Sequence, residues 1–60
     1  MDQRLYDAVL DSPAADLLEV LAVAVQDKAA HETKTGSHIV AAYLSDASRA
    51  LFDLAEELNQ

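Results

Sequence analysis

Between Leu17 and Val25 the chain reads LLEVLAVAV, with Glu19 as its one charged residue. At about 100° per residue on a helix, Leu17, Leu18, Val20, Leu21, Ala22, Ala24, Val25 and Ala29 spread over an arc of roughly 200°. One neighbouring surface covers about half of that. The pattern predicts that this helix is covered from two directions, by other segments of the chain or by a second copy. A strand reading fails for want of period-two alternation and flanking breakers.

Punctuation sets the ends of three helices. The first spans residues 2–11, capped by Asp2, with Met1, Leu5, Ala8 and Val9 on one face and Tyr6 and Leu10 widening it. Three turns are marginal in water, so this helix is expected to lie on the wide stripe of the next. Ser12-Pro13 then opens the second helix, over 13–34. Proline fixes φ near −65°, which suits a first helical position, and the serine before it is placed to cap the free amides. Asp16 and Glu19 fall in the first turns, where the dipole favours them. Near the far end Lys28, His31 and Glu32 replace the apolar residues, so the stripe turns polar towards the turn.

Thr35-Gly36-Ser37 is the second break. Glycine accepts the left-handed conformation that ends a helix, and Ser37 is placed to cap a third helix over 38–59. So short a link makes the flanking helices antiparallel neighbours. In the third helix Val40, Leu44, Ala47, Leu51, Leu54 and Leu58 alternate in steps of four and three, a heptad seam flanked by Tyr43, Ala50 and Ala55. Ile39 and Phe52 broaden it beyond what one partner helix covers. The two long helices each span about 30 Å. The expected fold is therefore all-α and a single domain over 1–60. It is a short N-terminal helix followed by a long antiparallel helical hairpin, dimerising into a four-helix bundle. The expected oligomer core and interface is Leu17, Leu18, Leu21, Val25, Val40, Leu44, Leu51, Leu54 and Leu58.

Size reinforces the dimer. In a 60-residue chain the apolar area buried on folding roughly cancels the ~1.5 kcal/mol per residue of ordering entropy, and something must add to the core. There is no cysteine to make a disulfide or a thiolate metal site. Self-association is the leading route, with a foreign helix covering the surplus stripe as the alternative. The longest uncharged apolar run, Val20 to Val25, is far short of the ~20 residues that span a bilayer. No charged n-region precedes an apolar h-region, so no membrane contact is expected and the cytoplasm is the expected compartment.

Charge narrows the choice of partners. Eleven Asp and Glu oppose four Lys and Arg, a net −7. A field of that sign repels phosphate backbones, so direct nucleic-acid binding is not expected. The acids keep an alanine- and leucine-rich bundle in solution, as halophilic adaptation also would, and they suit a basic protein partner. The candidate partner face is the outer strip of the third helix, Asp46, Asp53, Glu56 and Glu57, with Arg49 and Gln60 beside it. Glu56 and Glu57 oppose the helix dipole there.

Catalytic chemistry finds little support. His31, His38 and Glu32 flank the turn in the composition of a two-histidine, one-carboxylate site. Their spacing matches no metal motif, since HExxH keeps both histidines on one helix, and no metal is expected. The serines at 12, 37, 45 and 48 have no histidine and carboxylate arranged beside them, and a single glycine makes no phosphate loop. Asp11-Ser12 resembles the phosphopantetheine attachment of acyl carrier proteins over two residues. Pro13 then stands where that family has leucine, and the second helix is too long, so Ser12 is read as a helix cap. Ser37-His38 resembles the start of the phospho-acceptor helix of histidine kinase dimerisation domains, but Ile39, Val40 and Ala41 replace the acidic residue, arginine and proline that follow there.

The functional expectation is a small acidic homo-oligomeric protein-protein interaction module, an adaptor, regulator or inhibitor, with no catalytic activity and no cofactor. One alternative is a DNA-associated transcriptional regulator. That would gather its basic residues on one helix, whereas Arg4, Lys28, Lys34 and Arg49 are scattered. The other is an acidic mimic that occupies a basic nucleic-acid-binding protein.

Overall fold

The computed structural model describes all 60 residues and contains helices and no strands: α1 (Gln3–Asp11), α2 (Ala14–Lys34) and α3 (His38–Leu58). Local chemistry accounts for each boundary. Asp2 caps α1, its Oδ1 accepting from the backbone N–H of Arg4 at 2.9 Å and of Leu5 at 3.4 Å. Gln3 donates from Nε2 to Asp7 Oδ1 at 3.0 Å, one turn on.

Two capping expectations are corrected. Ser12 closes α1 rather than opening α2. Its backbone is extended (φ −80°, ψ 142°), the conformation that a residue before proline favours, and its Oγ donates back to the Ala8 carbonyl at 2.7 Å. Pro13 is itself the N-cap of α2 and brings no side-chain hydrogen bond. Ser37 does stand at the N-cap of α3, but its hydroxyl makes no capping bond either.

The turn forms as its glycine predicts. Gly36 has φ +92°, the left-handed region that L side chains avoid. The Gly36 N–H donates to the Thr33 carbonyl at 3.2 Å and the Ser37 N–H to that of Glu32 at 2.9 Å, the paired bonds of a Schellman ending. Thr35 Oγ1 adds a third bond, to the Glu32 carbonyl at 3.0 Å. The chain reverses within three residues, and α2 and α3 run antiparallel side by side.

The seam between them is built from small residues. Ala22, Ala29, Ala41, Ser48 and Ala55 are the five buried residues of the molecule, and Ala15 is half-buried in line with them. On each helix these positions recur every seven residues, 15, 22, 29 and 41, 48, 55. They fall opposite one another as 15 with 55, 22 with 48 and 29 with 41. The middle pair is joined by a buried hydrogen bond, Ser48 Oγ donating to the Ala22 carbonyl at 2.8 Å. Side chains this small bring two helix axes towards the lower end of the usual 8–10 Å range. The leucines of the heptad pattern do not fill the space between α2 and α3.

The expectation that α1 lies on the stripe of α2 is also corrected. Every residue of α1 is exposed, Leu5 and Leu10 at 64% and 66%. The Cα atoms span 36 × 31 × 12 Å. The 21-residue helices account for the long dimension at 1.5 Å per residue, and the second dimension comes from α1 standing away from the hairpin. No helix is long and apolar enough to cross a membrane.

Candidate functional site

The small-residue seam divides the rest of the hairpin into two sides. In an antiparallel pair, positions three residues after a seam residue fall on one side of the contact in both helices, and positions four after it fall on the other. The first set is Leu18, Val25 and Glu32 on α2 with Leu44, Leu51 and Leu58 on α3. The second is Glu19, Gln26 and Thr33 with Ser45, Phe52 and Asn59. One side is apolar and the other polar.

The apolar side holds eight of the nine residues expected at the interface. Leu18, Val25, Leu44 and Leu51 are half-buried beside the seam, and Leu21, Val40, Leu54 and Leu58 stand further out and are exposed. Leu17 departs from the group. It is half-buried on the edge of α2 away from α3, where it lines a shallow concavity with Ser12, Pro13, Asp16 and Val20. Towards the turn the apolar side ends in Lys28 and Glu32, whose charged groups lie 3.4 Å apart across one turn of α2. Such a pair contributes at most a few tenths of a kcal/mol.

Exposed surface gives the scale of what is left uncovered. The chain presents 4729 Å² to solvent, whereas a folded monomer of 6.5 kDa presents about 3,800 Å². The excess is roughly 900 Å². No large side chain is fully buried, and the buried core consists of four alanines and a serine. The apolar side of the hairpin, roughly 30 Å long and two helix diameters wide, has an area of roughly 600 Å².

The polar side is a different kind of surface. Gln26 of α2 and Ser45, Ser48, Arg49, Phe52 and Asp53 of α3 line a depression across the seam there. Asp16, Glu19 and Asp27 stand around Val20, Val23 and Ala24 on α2, with Val20 67% exposed. The four residues of the expected partner face are all exposed: Asp46, Asp53 and Glu57 follow the outer edge of α3, and Glu56 leans to the polar side. No base stands among them except Arg49.

Near the turn, His31 and His38 are exposed and Glu32 is engaged with Lys28. Nowhere do three His, Cys, Asp or Glu side chains gather so as to hold a metal ion.

Sequence reasoning missed the seam. Ser48 drew notice only as a serine without a catalytic partner, yet it is the buried polar residue that joins the two helices. The signal was present in the seven-residue spacing of small residues on both helices, masked by the larger leucines that share it.

Comparison of the chain with known protein families, with curated proteins and with solved structures finds no match.

Proposed function

We propose that the chain is a self-associating interaction module, two copies of which pack their apolar sides together as a four-helix bundle. The observation that carries this is the placement of Leu18, Leu21, Val25, Val40, Leu44, Leu51, Leu54 and Leu58 on one side of a hairpin that closes without them. Two such sides, roughly 600 Å² each, bury about 1,200 Å², the lower bound of stable specific interfaces. A second copy is the occupant because the surface is self-complementary in length and free of charge until Lys28 and Glu32.

Dimerisation leaves the polar side outermost. There Asp16, Glu19, Asp27, Asp46, Asp53, Glu56 and Glu57 form an acidic exterior that fits a basic protein partner, and the module acts by binding, without catalysis or cofactor. Phosphate backbones are repelled by the same exterior, which favours an adaptor, regulator or acidic mimic over a DNA reader.

Light scattering over a range of concentrations tests the first step. The expected result is a species of about 13 kDa, twice the 6.5 kDa chain, that loses helicity only on dilution into monomers. A well-folded monomer at all concentrations overturns the proposal.

A further inference from the structure

Resting on the dimer proposed above, we infer that the two copies pack head to tail, the turn of each beside the open end of the other. The ground for this is a charge gradient along the hairpin. With Ala22 level with Ser48, the half nearer the turn comprises residues 25–46. It carries Asp27, Glu32 and Asp46 against Lys28 and Lys34, a net −1, together with both histidines. The rest of the chain, α1 and the open end of the hairpin, carries the other −6 of the total −7.

Two arrangements place the apolar sides face to face with two-fold symmetry. With the symmetry axis along the helices, open end meets open end and −6 lies beside −6. With the axis across the helices, −6 lies beside −1. Every adjacent pair of helices is antiparallel in both arrangements, so the helix dipoles do not choose between them. Side-chain charge does. At physiological salt the Debye length is about 8 Å and charges a bundle's width apart are largely screened, whereas at about 0.01 M it is about 30 Å and the repulsion spans the bundle, so the preference is read at low ionic strength. The gradient is also a barrier to the wrong arrangement, since each end brought together would hold eight carboxylates against only Arg4 and Arg49.

The position of α1 agrees. It leaves the hairpin at the open end, touches little of it, and carries Asp2, Asp7 and Asp11 with an uncovered apolar face. Its own turn lies about 30 Å away along α2. Head-to-tail packing sets it beside the partner's turn end, where the lysines and histidines stand.

Because the chain has no cysteine, spin labels attach only where one is introduced, so Thr35→Cys at the turn and Gln60→Cys at the open end each report one position. Pulsed dipolar spectroscopy on each variant at low ionic strength is expected to give a same-site separation of about 30 Å or more, the length of the bundle. A mixture of the two variants is expected to add a shorter separation, on the order of one bundle width. Short same-site separations in both variants overturn the head-to-tail arrangement and leave the dimer standing. No dipolar coupling, together with a monomer mass by light scattering, overturns the arrangement and the dimer together.

Discussion

Two sets of residues repeat every seven positions along α3, and the structure treats them differently. Ala41, Ser48 and Ala55 are buried against α2, whereas Leu44 and Leu51 are half-buried and Leu58 is 56% exposed. By hydropathy alone the leucines are the stronger claim on the interior. Size reverses the order. Two helices joined by a three-residue turn start close together, and only small side chains let them stay close along their whole length. The leucines are displaced to one side, where they line a surface instead of filling a core.

The largest effect should follow from erasing that distinction. Ala22→Leu puts a large side chain opposite Ser48 in the tightest part of the seam, forcing the helices apart and breaking the hydrogen bond to the Ala22 carbonyl. The expected loss is about 3 kcal/mol, a large share of what so small a domain has. Urea unfolding monitored by circular dichroism measures it, and an unchanged midpoint would mean that the seam is not close-packed.

Leu54→Asp tests the other set. Its side chain is 48% exposed on the apolar side, so the hairpin itself should tolerate the change. Losing one leucine from a dimer contact costs about 1.5–3 kcal/mol, so Kd is expected to rise by one to two powers of ten in sedimentation equilibrium. Equal association by variant and parent would remove this side from the interface. Ser48→Ala sharpens the comparison at the low end. Alanine fits the seam pattern and leaves the Ala22 carbonyl in its helical ladder, so only the interhelical bond is lost, about 1 kcal/mol by the same urea titration. A cost several times larger would show that the bond, more than the packing, holds the helices together.

Much of the fold is legible in the residues. Pro13 and Gly36 mark the breaks, Asp2 caps α1 as expected, and α2 and α3 end within a residue of where the punctuation places them. Less was legible about caps and contacts. Ser12 and Ser37 sit where caps belong, but neither caps with its side chain: Ser12, before proline, is held extended and its hydroxyl donates back to the Ala8 carbonyl. The apolar face of α1 was expected to seek the stripe of α2. Ser12-Pro13 instead directs α1 away from it.

The sequence by itself determined that this protein is helical, where its helices start and stop, and that its apolar surface exceeds what one hairpin can cover. Those are properties of local backbone preference and of counting, and neither needs a neighbour. Tertiary structure alone decided which of two superposed seven-residue patterns becomes the seam, and with it which residues face outward. That choice depends on how near two helices come. Axial separation is a property of the pair, set jointly by Ala22, Ala29, Ala41, Ser48 and Ala55, and no single stretch of the chain contains it.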